Sequence, residues 1–348
     1  MENRNIIVIG ASAGGISALK QLCSSLPADL NASVFIVWHM APAVRGVLPQ
    51  ILNQVSAIHA AHGVDGEPIV SNRMYIAPPD HHMLIEQGRI RISHGPKENR
   101  FRPAVDPLFR SAAYTYGNRV IGVVLSGALD DGTAGLWTIK YRGGLTIVQD
   151  PIDAEVSSMP DSAIRQVTID HIIPAEQMGP LLAKLVQDPA NKDTPIAMEE
   201  DEKTKAELEI AGADTASGTS IFQFGVPSTY ACPECHGVLT MLKDGNITRF
   251  RCHTGHAFSA DALLEALTES IEDSLYNAIR GVDESVILLN HLGDHFAEAN
   301  QPRAAAVYFQ RATKVSEQAA MVRKAIRLAG LSADDEEPDA PENPKMPV

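Results

Sequence analysis

The stretch "NIIVIGASAGGISALKQL", residues 5–22, decides how the rest of the chain is read. Ile6–Ile9 is an unbroken apolar run, as expected of a strand buried on both faces of a parallel sheet. Gly10–Gly15 then turns the chain, and Ile16, Leu19, Leu22, Cys23 and Leu26 recur at helical spacing, which makes Cys23 a core residue. Strand, glycine turn and helix together open a doubly wound α/β domain. The turn admits three readings. A dinucleotide loop needs Gly-x-Gly-x-x-Gly, but Ser12 fills the middle glycine position; a P-loop ends in Gly-Lys-Ser/Thr, and the first lysine is Lys20. Gly10-x-Ser12-x-Gly14 between a strand and a helix instead fits a nucleophile elbow, which stands a serine hydroxyl out at the carboxyl end of the strand.

Bulk properties narrow the field. A chain of 348 residues with 45% apolar content is expected to form more than one domain. A net charge of −14 excludes nucleic acid as the main partner, because phosphate binding needs clustered Lys and Arg. No apolar run approaches the roughly 20 residues of a membrane span, and the N-terminus lacks the layout of a signal peptide. A cytoplasmic location is therefore expected, with no membrane insertion.

Residues 1–187 alternate between strand and helix patterns. Val34–Val37, Val120–Leu125, Leu145–Val148 and His171–Ile173 read as parallel strands. Helices are expected at Val47–Val55, about Thr133–Tyr141, Asp161–Gln166 and Ala175–Val186. Arg73–Ala77, His82–Ile85 and Arg89–Ser93 read as antiparallel ribbons inserted into this order. The fold class is thus α/β, a doubly wound, mostly parallel sheet with an antiparallel hairpin insertion. Residues 188–226 change composition and read as a linker in which Met198–Ile210 forms a short solvated helix. A small Cys/His module (227–258), an α-helical hairpin (259–331) and an acidic, proline-rich disordered tail (332–348) complete the order.

If Ser12 is a nucleophile, it needs a base and a group to orient that base. Ligands sit at the carboxyl ends of strands in open α/β sheets. His39 ends "SVFIVWHM", the strand after the first helix, and so belongs beside Ser12. His59, His62, His81, His82 and His94 fall in the middle section, and His171 lies at the wrong strand end. For the acid, Asp130 and Asp131 follow "VIGVVLS" and Asp150 follows "LTIVQ"; spacing does not choose among them. The order Ser, His, Asp differs from the Ser, Asp, His of α/β-hydrolases, so this is a different scaffold carrying the same constellation.

Three of the four cysteines cluster between 232 and 252. Cys232-x-x-Cys235, with Cys252-x-x-x-His256 at a distance, is a metal-ligand spacing, and four soft donors with no open position suit a structural zinc. His253 and His236 are weaker fourth ligands. Beyond it, Leu264, Leu267, Ile271, Leu275, Ala278, Val282, Val286, Leu289 and Leu292 keep a three–four spacing. So do Tyr308, Ala312, Val315, Ala319, Val322 and Ile326, with Gly293 and Pro302 bracketing the turn. Having little else to pack against, these helices are expected to lend part of their stripe to a homodimer or a signalling partner.

Residues 5 to about 187 resemble the catalytic domain of the CheB-type chemotaxis protein-glutamate methylesterases. The resemblance rests, in order, on "VIGASAGG", "VWHM", "APPDHHM", "RPAVDPLFRSAA", "VVLSGALDDGTAGL" and "TIVQD…SSMPDSAI". It implies Ser12 as nucleophile, His39 as base and Asp131 as orienting acid, with the backbone N–H groups of Ala128 and Ala13 as oxyanion donors and no cofactor in catalysis. It further implies hydrolysis of glutamyl methyl esters on a methylated chemoreceptor or similar helical signalling protein, with glutamine deamidation as a second activity. The family pattern usually has glycine where this chain has Leu129, a costly exchange if φ is positive there. Classical members of the family also carry an N-terminal receiver domain, which is not expected here. The competing expectation is a non-catalytic signalling adaptor that keeps the fold.

Overall fold

The computed structural model describes residues 3–40, 46–190, 195–213 and 218–328. The expected tail, 332–348, lies outside them. The chain forms two compact units, Met1–Leu264 and Glu265–Val348.

The first unit is built on strands β1 (Ile6–Ala11), β2 (Ser33–Trp38), β3 (His59–His62), β4 (Arg73–Ile76), β5 (His82–Glu86), β6 (Arg89–Ser93), β7 (Val120–Val124), β8 (Leu145–Gln149) and β9 (His171–Ile173). Helices α1 (Gly15–Ser24), α2 (Leu48–Asn53), α3 (Val105–Tyr116), α4 (Thr133–Tyr141), α5 (Ser158–Gln166), α6 (Ala175–Leu185) and α7 (Met198–Ala211) accompany them. The main sheet has seven parallel strands in the order β3-β4-β2-β1-β7-β8-β9. β1 is central, and successive residues feed opposite layers. Ile7, Ile9 and Ala11 join the core with Leu19, Leu22 and Cys23 of α1 and Met178 and Leu182 of α6. Ile6 and Val8 face Val105, Leu108 and Phe109 of α3. Two-sided burial is why the strand carries no polar residue.

Two expectations for this part of the first unit need correction. Arg73–Ala77 is not an antiparallel ribbon: β4 pairs in parallel with both β2 and β3, and only β5 and β6 form the inserted hairpin. A four-residue strand of alternating character looks alike in either sheet type, and its partners decide. Residues 188–226 are not simply a linker either. α7 buries Lys203, Thr204, Ala206, Glu207 and Ile210, so the helix expected to be solvated is packed. Its charges are buried in pairs, which a composition reading takes for exposure.

A second, antiparallel sheet follows within the same unit: β10 (Val226–Ala231), β11 (Val238–Asp244), β12 (Ile247–Cys252) and β13 (Ala257–Ser259). Helices α8 (Ala260–Glu298) and α9 (Pro302–Leu328) come next. In the second unit they form a hairpin: Ala305, Ala312 and Ala319 are buried, and Phe296 stacks on Tyr308 at 5.2 Å. Gly293 does not bracket the turn. It lies inside α8, where a Cβ would meet the Phe309 ring at 2.5 Å.

Candidate active site and Cys/His cluster

The strand order reverses at β1: the chain builds outward through β2 and then crosses back to β7 on the other side. A crevice opens at the carboxyl ends of strands at such a point. Ser12 follows β1 directly, His39 follows β2, and Asp131 is reached from β7 through residues 125–130.

Two glycines shape the elbow. Gly10 passes so close to α3 that a Cβ would lie 2.4 Å from Val105. Gly14 caps α1 at φ 70, a left-handed conformation that glycine takes without a Cβ penalty. The Ser12 N–H donates to the Ser126 carbonyl (3.0 Å), and Trp38 Nε1 donates to the Ser12 carbonyl (2.9 Å), which fixes the serine over the sheet edge.

His39 Nδ1 lies 3.1 Å from Ser12 Oγ, and His39 Nε2 lies 2.7 Å from Asp131 Oδ2. A carboxylate only accepts, so Nε2 carries the proton and the Nδ1 lone pair is left to accept the Ser12 hydroxyl. The imidazole lies flat on Phe101, centroids 3.9 Å apart. Burial alone would raise the Asp131 carboxyl, but the His39 hydrogen bond and charge, the Val105 N–H and Asn99 outweigh it and hold the group below its usual range. Among the three candidate acids the geometry separates Asp131. Asp130 accepts from Ser259 Oγ at 2.5 Å, and Asp150 accepts from the Ile152 N–H in a turn.

Gly127 abuts the serine, since a Cβ there would be 2.8 Å from Ser12 Cβ. Leu129 sits at φ 62, so the position that usually holds glycine does adopt the left-handed conformation, and leucine bears the strain. Among the described residues no protein acceptor engages the backbone N–H of Ala13 or Ala128. Two depressions flank Ser12. One of about 480 Å³ includes Ile16, Lys20, Trp38 and Glu155. The other, about 450 Å³, includes Met40, Asp80, Lys97, Arg100, Phe101 and Arg102.

Three of the middle-section histidines have partners of their own. His82 is buried and bonded to Pro96 O (2.9 Å) and the Ala104 N–H (3.3 Å), His94 meets Asp80, and His62 bonds backbone carbonyls of Gly46 and Ile76. The sequence reading missed Asn99 and Phe101. Asn99 Nδ2 donates to Asp131 Oδ1 at 2.8 Å. Neither lies at a strand end, and the only signal was that they immediately precede "RPAVD".

Away from this crevice, Cys232, Cys235, Cys252 and His256 bring their donor atoms within 4.8 Å of one another. Cys235 Sγ to Cys252 Sγ is 3.6 Å, and His256 Nδ1 is 3.7 and 3.6 Å from the sulfurs of Cys232 and Cys252. Metal–sulfur bonds of about 2.3 Å and metal–nitrogen bonds of about 2.0 Å at tetrahedral angles place donors at such separations. His236 and His253 are exposed and outside the set.

A parallel α/β domain with a hydroxyl, an imidazole and a carboxylate joined at its switch point defines the chain's class as an α/β hydrolytic domain of non-α/β-hydrolase topology. The family model described as CheB methylesterase matches residues 7–182. A Leptospira interrogans relative is 39% identical over 186 residues, 53% of this chain and 96% of its own. A Methanosarcina mazei protein named protein-glutamate methylesterase/protein-glutamine glutaminase 2 is 37% identical over 192 residues, and this chain spans 52% of it. The crystal structure of the Thermotoga maritima CheB methylesterase catalytic domain aligns with TM-score 0.51 and 33% identity, covering 53% of this chain and 100% of that one. The chain belongs to the CheB methylesterase family.

Proposed function

We propose that the protein hydrolyses glutamyl methyl esters on a methylated chemoreceptor or similar helical signalling protein, through Ser12, His39 and Asp131. The single observation that carries this reading is the continuous hydrogen-bonded path Ser12 Oγ–His39–Asp131 at 3.1 and 2.7 Å. Ser12 Oγ attacks the ester carbonyl while His39 Nδ1 takes its proton. The N–H groups of Ala128 and Ala13 receive the oxyanion, each worth about 3 kcal/mol. The tetrahedral adduct expels methoxide, His39 returns the proton to it, and methanol leaves. Water then attacks the acyl-enzyme, giving its proton to His39 and releasing the glutamate carboxylate as Ser12 regains its hydrogen. A glutamine side chain offers the same carbonyl with ammonia as leaving group, so deamidation follows the same path. His39 must be neutral to begin.

Catalysis needs no cofactor in this scheme. Cys232, Cys235, Cys252 and His256 would hold a structural zinc, closed by four protein ligands, in a reducing cytoplasm that keeps the thiols free. No helix among the described residues is long and apolar enough to cross a membrane. The α8–α9 hairpin leaves Ile287, Leu288, Val307 and Met321 exposed, a surface suited to a second copy or a signalling partner.

The test is methanol release from a methylated receptor fragment. Ser12→Ala is expected to lower the rate by at least about 10³-fold. An unchanged rate overturns the assignment and favours a non-catalytic adaptor.

A further inference from the structure

The Cys/His ribbon reaches the crevice through Ser259, which donates to Asp130, and through one short segment, Lys97–Arg102. β13 begins at the residue after His256, the last of the four clustered donors. The Ala257 N–H donates to the Lys97 carbonyl (3.2 Å), and the Ala257 carbonyl accepts from the Asn99 N–H (2.8 Å). The Ser259 N–H donates to Asn99 Oδ1 (2.8 Å). With its oxygen so engaged, the Asn99 amide turns its nitrogen inward. There Nδ2 donates to both Asp131 Oδ1 (2.8 Å) and Asp106 Oδ2 (3.0 Å).

The segment is tied at its other residues too. The Glu98 carboxylate accepts from Arg251 of β12 (2.8 Å). The Lys97 ammonium pairs with Glu234, inside the Cys232–Cys235 knuckle, at 3.0 Å. Phe101 lies on His39. Lys97, Glu98 and Asn99 are therefore each bonded to the ribbon, while Asn99 and Phe101 touch the acid and the base.

We propose that Asn99 is a positioning residue for the Asp131–His39 pair, and that metal in the ribbon controls turnover at Ser12 by holding Asn99 in place. This rests on the hydrolase reading of Ser12, His39 and Asp131. The physical reason is local. Asp131 and Asp106 are two buried carboxylates in contact with one amide nitrogen, which donates to both. Without that donor the two carboxylates lose the one group that bridges them, and Asp131 Oδ1 keeps only the longer Asp106 N–H bond (3.2 Å), which loosens the rotamer that orients His39. A ligand set spanning Cys252 and His256 clamps the turn between β12 and β13, which sets where β13 meets Asn99. Chain and metal thus converge on one hydrogen bond.

The experiment uses the full chain as purified, after removal of metal with a chelator, and after reloading with Zn²⁺ alone. Metal per chain, the rate at which a fluorophosphonate labels Ser12, p-nitrophenyl acetate turnover, and hydrogen exchange at residues 97–101 and 257 are followed together. Stripping is expected to slow labelling and to speed exchange at Asn99 and Ala257, each about tenfold or more, with Zn²⁺ restoring both. Asn99→Ala is expected to keep its metal and lower kcat about 10- to 100-fold with KM nearly unchanged. Asn99→Asp, which keeps the oxygen for Ser259 but not the inward donor, should match it. A residue with a purely structural role would shift the thermal midpoint without this split between kcat and KM.

Wild-type labelling after verified metal loss, or wild-type kcat in both Asn99 variants, overturns the proposal. Unchanged exchange at 97–101 on stripping overturns the physical link whatever the activity. If the metal-loaded wild type neither labels nor turns over, the hydrolase reading fails instead, and the control of turnover falls with it.

Discussion

Asp131 is the most heavily bonded carboxylate of the crevice: His39 and the Val105 N–H reach one oxygen, Asn99 and the Asp106 N–H the other. Its neighbour Asp106 is pushed up to about 7, first by burial and then by the Asp131 charge. The signs oppose. Asp131 is depressed, so its stabilisation is present above its unfolded pKa and lost as pH falls through the folded one. Asp106 is raised, so its contribution is complete at low pH and declines as pH rises from 3.8 toward about 7. Asp106→Asn should flatten that decline: urea unfolding at pH 5 and pH 8 is expected to show wild type losing stability relative to the variant. Leu129 offers a second test. Its left-handed backbone costs leucine roughly 1–2 kcal/mol, partly offset in Leu129→Gly by glycine's greater freedom when unfolded. A gain of about 0.5–1 kcal/mol by denaturation is expected; a loss would show that side-chain packing dominates there.

At the scale of elements, β1 and α3 carry the elbow between them. α3 supplies the Val105 and Asp106 N–H groups to Asp131 and packs its Val105 methyls against Gly10. Gly10→Ala puts a methyl 2.4 Å from a Val105 carbon, and overpacking of this kind costs typically about 1–3 kcal/mol. Because the same contact sets the height of the elbow, thermal unfolding and methanol release should fall together. β1, α1 and β2 were legible from periodicity, since buried parallel strands and amphipathic helices write their burial into the order of residues. α3 was not. Its Asp106, Arg110 and Ser111 are buried and bonded, so polar residues on the inner face hide the helical stripe. α7 hides for the same reason.

At the scale of the first unit, a buried ion cluster joins three parts of the chain. Glu98 pairs with Arg110 of α3 and Arg251 of β12. Glu207 of α7 pairs with Arg249 and Arg251, and Asp244 with Arg249 and Lys203. Burial would raise the Glu207 carboxyl, but the guanidiniums of Arg249, Arg110 and Arg251 hold it well below its usual range. Removing one partner strands the others: Glu207→Ala is expected to cost about 3–5 kcal/mol, measured by chemical denaturation. A cost below about 1 kcal/mol, the level of exposed pairs, would show the cluster to be solvated.

The order of residues alone determined the α/β class and singled out Ser12, His39 and the spacing of Cys232, Cys235, Cys252 and His256 as candidates, because each is written in local spacing or at a strand end. Its spacing left Asp130, Asp131 and Asp150 equivalent, with only the family resemblance pointing to Asp131, and it placed β4 in the wrong pairing and took α7 for a solvated helix. Only tertiary structure separates the acids, since hydrogen-bond partners from distant segments decide which carboxylate meets His39. It alone also brings the ribbon's β13 against Asn99, a contact spanning 160 residues of chain that no local pattern encodes.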